Sequence, residues 1–141
     1  MKKISLSELY AIFQKHSEIS TDSREIKSNS LFFALKGPNF NGNQFAEEAL
    51  KKGAAYAIVD EEKYHTGEKY LLVDDCLKSL QELGLHHRKN LNIPIIGITG
   101  SNGKTSTKEL INAVLKTSYK TIATSGNLNN HIGVPLTLLS I

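Results

Sequence analysis

The sequence predicts an α/β protein, with a small N-terminal α/β unit followed by the start of a second, parallel-sheet unit. Short apolar runs alternate with segments of helical periodicity along the chain, which is the pattern of strands joined by helices. A glycine-rich loop at residues 97–105 lies between one such run and one such helix. The length of 141 residues suits one small domain and part of another.

The first helix is predicted over residues 5–15. Leu6, Leu9 and Phe13 recur on one face of this segment, and a serine at its start can cap the helix. Residues 19–22 and 31–35 are predicted strands because both are short and rich in β-favouring apolar residues. A Lys-Gly-Pro turn signal at residues 36–38 follows the second strand.

Four further elements complete the first unit, residues 1–88. A polar turn at 41–43 precedes a predicted helix over 44–52, and Gly53 is expected to end that helix as a C-cap. Residues 54–59 and 70–73 are predicted strands. Asp74 or Asp75 is then expected to cap a helix that reaches Lys89.

The second unit, residues 92–141, is predicted to begin with a strand at 93–96, a loop, a helix over 105–116 and a strand at 119–124, with a loop after them. Two strands and one helix cannot cover both faces of a parallel sheet. We therefore expect the chain to be an N-terminal fragment, cut inside this unit. Residues after about Asn90 are expected to pack poorly or to associate with another chain, since an open sheet edge seeks a partner.

Composition excludes several classes of protein. The net charge is +3 and the basic residues are dispersed, without the interleaved aromatic residues of a single-strand binder, so a nucleic-acid partner is not expected. No apolar run approaches the length of a membrane span. A single cysteine, Cys76, excludes an internal disulfide and favours a cytoplasmic location.

The loop over residues 97–105 has the residue types that bind phosphate. Its glycines allow the backbone to turn and approach an anion, and the helix N-terminus that follows attracts negative charge. Lys104 supplies a positive charge for the outer phosphates of ATP, and Thr105 a hydroxyl for Mg²⁺. The predicted ATP-binding residues are Gly100, Ser101, Asn102, Gly103, Lys104, Thr105 and Ser106.

One feature of this loop leaves an alternative open. The general phosphate-loop pattern has glycine five residues before Gly103, where this chain has Ile98. An ordinary glycine turn with a solvated Lys104 is therefore the alternative interpretation. The dinucleotide fingerprint G-x-G-x-x-G is absent, which argues against a nicotinamide cofactor.

Three segments together resemble the Mur ligase family of peptidoglycan synthesis. They are the Thr-Asp-Ser-Arg run at 21–24 with the strand and loop over 31–42, the phosphate loop over 99–105, and the segment over 126–139. The family's own form of the phosphate loop also accounts for Ile98. The third segment resembles the branch of the family that adds D-alanyl-D-alanine. The resemblance spans the whole chain and about the first third of such an enzyme.

The resemblance implies a cytoplasmic, ATP- and Mg²⁺-dependent ligase that joins D-alanyl-D-alanine to UDP-MurNAc-tripeptide through an acyl phosphate. It implies a Mur-ligase-type N-terminal domain that binds the UDP substrate, then the beginning of a central ATPase domain with Lys104 as its catalytic lysine. The fragment alone is expected to be inactive. The UDP-substrate residues implied are Ser23, Arg24, Pro38, Asn39, Phe40, Asn127, Asn129 and Asn130.

Structural alternatives exist for each of these residues. Ser23 is equally suited to capping a turn, and Asp22 to pairing with Arg24. The 37–40 stretch could be an ordinary strand-ending loop, and the asparagines a polar turn. For the whole protein, the alternatives are a sibling ligase that adds the third stem residue, a stand-alone nucleotide-binding module, and a phosphate-loop kinase.

Overall fold

The computed structural model describes residues 2–126, 128 and 130–141. Its first part is built on a parallel sheet of four strands in the order β1-β2-β5-β6. A separate two-stranded antiparallel hairpin, β3-β4, follows β2 along the chain. The strands are β1 Ile19–Ser20, β2 Leu31–Phe33, β3 Lys36–Gly37, β4 Phe40–Asn41, β5 Tyr56–Val59 and β6 Tyr70–Leu72.

The helices of the first part confirm the predicted ones; the first two are shorter than predicted, and the third ends at Asn90. Ser5 caps α1 through a capping box with Glu8, and Asp75 caps α3 by accepting a hydrogen bond from the Lys78 N–H. Gly53, at φ +109°, follows the end of α2, a conformation that favours glycine. The described helices are α1 Leu6–Phe13, α2 Ala46–Lys51, α3 Cys76–Asn90, α4 Lys104–Leu115 and α5 Gly133–Leu139, and a 3-10 turn, Gly42–Phe45, leads into α2.

The core lies around the two central strands. All three residues of β2 are buried, and so are the last three of β5, because inner strands of a parallel sheet are covered on both faces. Helix α2 packs on β5, α3 on β2, and α1 on α3. Cys76 is buried in this core, and its burial raises the pKa of the thiol, which makes the thiol unreactive.

The two strands predicted for the second unit are wrong. Residues 93–96 and 119–124 carry no strand, and Ile93, Ile95 and Ile96 are 44%, 41% and 60% exposed. A strand forms only where a neighbouring strand pairs with its backbone. Among the described residues, no strand pairs with either of these two runs. The helix between them is confirmed, as α4, but none of its residues is buried.

The loop predicted after residue 124 is also wrong over its last part, because α5 forms there. Pro135 lies in the first turn of α5, where a missing N–H is tolerated. Helix α5 packs on α3, and a Cβ built on Gly84 of α3 would lie only 3.2 Å from Pro135 Cα. Leu139 joins the core of the first part. Among the described residues, no helix is long and apolar enough to cross a membrane.

Candidate functional site

The glycine loop leads directly into the N-terminus of α4. Gly100 and Gly103 have φ of +150° and +77°, values that side-chain-bearing residues rarely adopt. Gly103 is the N-cap residue and has no side chain with which to cap the helix. The first amides of α4 are therefore left for another acceptor, and a helix N-terminus of this kind suits an anion.

Lys104 is the first residue of α4, and its side chain folds back over the loop. Its Nζ donates a hydrogen bond to the Gly100 carbonyl oxygen at 2.5 Å, so the positive charge lies on the loop itself. The Thr105 side chain is exposed, and its hydroxyl makes no hydrogen bond to any described residue. Ser101, Asn102, Gly103 and Ser106 are exposed as well, which leaves the loop open to a ligand.

The predicted UDP-substrate residues Pro38, Asn39 and Phe40 form the tip of the β3-β4 hairpin, and all three are exposed. The Phe40 ring lies against Gly37, where an added Cβ would be 2.2 Å from Phe40 Cε1. Gly42 is required where the hairpin ends, since a Cβ there would be 2.3 Å from the Leu35 carbonyl oxygen. The hairpin is thus a small, closely fitted element with an exposed ring.

A polar network that sequence reasoning missed anchors this hairpin. Asn43, only 1% exposed, donates from Nδ2 to Asn41 Oδ1 and to Asp60 Oδ1, each at 2.8 Å, and accepts from the Asp60 N–H at 3.0 Å. Lys36 Nζ lies 2.8 Å from Asp60 Oδ1 and 3.1 Å from Glu61 Oε1. The Asn-Gly-Asn run and the Asp-Glu pair after a strand were the available signals, but 17 residues separate Asn43 from Asp60.

The charges of the network are balanced. Burial alone would raise the pKa of Asp60, but hydrogen bonds from Lys36, Asn43 and the Cys76 N–H outweigh it and hold the pKa below its usual range. The Asp60 carboxylate in turn raises the pKa of Lys36. Hydrogen bonds from Lys63, then Asn41 and Lys36, lower the pKa of Glu61 to about 2. All these groups are charged near neutral pH, so the network holds a fixed set of ion pairs.

Ser23 and Arg24 lie in a turn after β1. The Arg24 guanidinium donates two hydrogen bonds to the Asp22 carboxylate, from Nε to Oδ1 at 2.9 Å and from one Nη to Oδ2 at 2.6 Å. These bonds lower the pKa of Asp22 to about 2. This is the pairing weighed above as the alternative. It does not use the second Nη, which stays available to an anion. The Ser23 carbonyl oxygen accepts a hydrogen bond from Lys52 Nζ at 2.8 Å.

Asn130 is the one asparagine of the 126–139 segment with a proposed ligand role that the structure describes; Asn127 and Asn129 lie outside the described residues. Its Oδ1 accepts hydrogen bonds from the N–H of Ile132 at 3.1 Å and of Gly133 at 2.7 Å. The Asn130 side chain therefore satisfies the start of α5, a structural role that the polar-turn alternative anticipated.

The structure brings some of these residues together and leaves others apart. The turn with Ser23, the hairpin and Asp60 follow the carboxyl ends of β1, β2 and β5, which are neighbours in the sheet. Ligands of open α/β sheets bind outside such ends. Within the described ranges, no hydrogen bond joins the Ser23 turn to the hairpin, or the phosphate loop to either. Nor do the described residues include a cluster of three His, Cys, Asp or Glu side chains able to hold a metal.

Comparison with known proteins identifies the class. The family model described as "Mur ligase family, catalytic domain" matches residues 15–96, more than half of the chain, and the model described as "Mur ligase middle domain" matches residues 98–141. The chain belongs to the Mur ligase family.

Within the family, the chain is similar to one enzyme in particular. It is 44% identical over 125 residues to the UDP-N-acetylmuramoyl-tripeptide–D-alanyl-D-alanine ligase of Bacillus subtilis, covering 87% of this chain and 27% of that protein. The enzyme of the same name from Escherichia coli is 39% identical over 123 residues, covering 87% and 27%. The chain thus spans little more than a quarter of the length of these relatives.

Solved structures with the same fold carry the short name of that enzyme, MurF. MurF from Acinetobacter baumannii superposes with a TM-score of 0.79 at 37% identity, over 88% of this chain and 27% of that one. MurF ligase from Thermotoga maritima, solved in complex with ADP, gives 0.77 at 33% identity, over 86% and 28%. The predicted α/β class and the resemblance to this family are confirmed.

Proposed function

We propose that this chain belongs to an ATP-dependent ligase that joins D-alanyl-D-alanine to UDP-MurNAc-tripeptide in peptidoglycan precursor synthesis. The observation that carries the proposal is the glycine loop, which opens at an uncapped helix N-terminus with Lys104 folded over it. The names of the similar enzymes and the ADP complex of one of them support it. Since the chain spans about a quarter of those enzymes, the activity is proposed for the whole protein.

On the ATP side, the loop amides and the first turn of α4 would hold the phosphates. Lys104 would exchange its bond to the Gly100 carbonyl for the β- and γ-phosphate oxygens, which are stronger acceptors. Thr105 would hold Mg²⁺ together with phosphate oxygens and water, which fits an ion that takes one or two protein ligands. When bound, the ion supplies positive charge against the phosphates. The other proposed contacts are Gly100, Ser101, Asn102, Gly103 and Ser106.

The reaction explains why ATP is needed. A carboxylate oxygen of the tripeptide attacks the γ-phosphorus, ADP leaves, and an acyl phosphate forms. The D-alanyl-D-alanine amine then attacks the acyl carbon, the C–O bond to phosphate breaks, and the amine loses a proton as the amide forms. A carboxylate is a poor acyl donor, so phosphorylation creates the leaving group. The protein's main task is positioning and charge neutralisation, to which Lys104 contributes.

On the UDP side, the proposed contacts are the hydroxyl of Ser23, the unused Nη of Arg24 and the hairpin tip, Pro38 to Phe40. A hydroxyl and a guanidinium both suit pyrophosphate oxygens, and an exposed ring suits the face of a base. Asn127, Asn129 and Asn130 would offer amides to the sugar or phosphates. The Oδ1 of Asn130 accepts hydrogen bonds at the start of α5, so its Nδ2 is the atom that would donate to the substrate.

The remaining parts of the proposal concern organisation. Residues 1–88 would form the UDP-substrate-binding domain and 92–141 the beginning of the ATP-binding domain. The 141 residues alone would not ligate, and they would have a tendency to self-associate through the exposed apolar side chains after Asn90. We also propose a cytoplasmic location, which the single cysteine favours.

The test is phosphate release from ATP by the protein encoded by the complete reading frame. Release that requires both UDP-MurNAc-tripeptide and D-alanyl-D-alanine supports the proposal, and replacement of D-alanyl-D-alanine by a single diamino acid identifies the sibling ligase instead. Lys104→Ala should abolish release. Lys116→Ala, at the other end of α4, removes the same charge outside the loop and should leave release unchanged. ATP binding without any release would indicate a nucleotide-binding module.

A further inference from the structure

We propose that Lys36, Asn41, Asp60 and Glu61 are positioning residues for the UDP substrate: they fix the β3-β4 hairpin, and with it the exposed Phe40 ring, at the carboxyl edge of the sheet. The inference rests on the proposed function, since it takes the hairpin as a wall of the UDP site. None of the four side chains is assigned a contact with the substrate.

Both strands of the hairpin are held by the Glu61 carboxylate, and β3 is held by the Asp60 carboxylate as well. From β3, the Lys36 ammonium reaches Asp60 at 2.8 Å and Glu61 at 3.1 Å. From β4, Asn41 Nδ2 donates to Glu61 Oε1 at 2.7 Å. A hairpin of two residues per strand has too few backbone bonds to hold its own position. Its placement therefore depends on these side chains.

The Asp60 carboxylate that holds the hairpin is itself fixed by the core. Asp60 follows the central strand β5 directly, its side chain is 8% exposed, and its Oδ2 accepts from the Cys76 N–H at 3.2 Å. The buried Asn43 links Asp60 to Asn41, because its Nδ2 donates a hydrogen bond to the Oδ1 of each. The ion pairs thus connect the hairpin to the core, and a pair with one buried carboxylate is screened less by salt than a fully exposed pair.

The hairpin held in this way presents the exposed Phe40 ring. The Phe40 ring rests on Gly37, next to Lys36 in sequence, while 56% of the residue stays exposed. A ring supported from behind by backbone and open in front is suited to stacking on a planar base. Its position relative to the sheet edge decides whether a base and a diphosphate can be reached at once, so the anchor affects affinity.

The test separates positioning from stability by comparing KM values. In the full ligase, Lys36→Met should raise the KM for UDP-MurNAc-tripeptide about tenfold. This is the change expected if the released hairpin occupies its binding position only about a tenth of the time, since apparent affinity falls with that fraction. The KM for ATP and kcat should change less than twofold. Lys36→Arg, which keeps both ion pairs, should restore the KM. Lys51→Met is the matched control: it removes the same charge and the Lys51–Glu47 pair of 2.6 Å on α2.

A second pair of variants keeps the proposal falsifiable if Lys36→Met folds poorly. Phe40→Ala should raise the same KM, and the double variant with Glu61→Gln should raise it by less than the product of the single effects, because both act through one surface. An unchanged KM in Lys36→Met and Glu61→Gln, in a wild type that ligates, overturns the positioning role and leaves the proposed function intact. A wild type with no substrate-dependent release overturns both.

Discussion

Replacing Asn43 by alanine should destabilise the N-terminal domain strongly, although the residue lies in a turn. The side chain is 1% exposed and makes three hydrogen bonds, two to neutral groups and one to the Asp60 carboxylate. A neutral bond contributes about 1 kcal/mol and one to a charged group about 1.5–3 kcal/mol. The loss should therefore be about 4 kcal/mol, because a nearly buried Asp60 has little access to replacement water.

The assay is urea unfolding followed by far-ultraviolet circular dichroism, since the chain has no tryptophan. Asn92→Ala is the matched control. Asn92 is exposed and lies outside every helix and strand, so its loss should change stability by less than about 0.5 kcal/mol. A loss below about 1 kcal/mol for Asn43→Ala would refute the reasoning, because it would mean that the network does not depend on its central member.

Three further predictions concern the helix α5, the Ser23 turn and the second half of the chain. Gly133→Ala should loosen α5 and speed amide exchange there, because its Cβ would lie 2.6 Å from Leu128 Cα; unchanged exchange would contradict the close approach. The pKa of Asp22, about 2 because of the Arg24 hydrogen bonds, should rise towards 4 in Arg24→Met when titrated by NMR. With the folded pKa lowered, this pair stabilises the fold above about pH 4 and ceases to do so as the pH falls towards 2. Amides of residues 91–126 should exchange faster than those of the parallel sheet, and equal protection would argue against the open packing of these residues.

The sequence predicted best those elements whose signals are local. Ser5 and Asp75 cap helices as expected, and Gly53 ends α2, because a cap depends on residues within one turn. The strands at 93–96 and 119–124 failed for the opposite reason. A β-branched run such as Ile95-Ile96 records a preference for a strand, but the strand forms only with a neighbour.

The candidate site divides along the same line. The glycine loop and its helix could be predicted because nine consecutive residues, 97–105, carry the motif. The contacts that hold the hairpin could not, since they join Lys36 and Asn41 to Asp60 and Glu61 across 20 to 25 positions, and no periodicity encodes them. Arg24 shows a third case: the sequence left open whether it pairs with Asp22 or binds a ligand, and the structure shows the pairing with Asp22.

The docking of α5 on α3 means that the two family segments are not independent in folding. Residues 98–141 match the middle-domain model, yet Leu139 belongs to the core that residues before Asn90 build, and Pro135 packs on Gly84. A chain shortened to residue 90 would present to water the α3 surface that these residues cover. Because α5 packs on α3, the segment between α3 and α5 is attached to the first part of the protein at both ends. Any movement of the phosphate loop is therefore limited by the length of that segment.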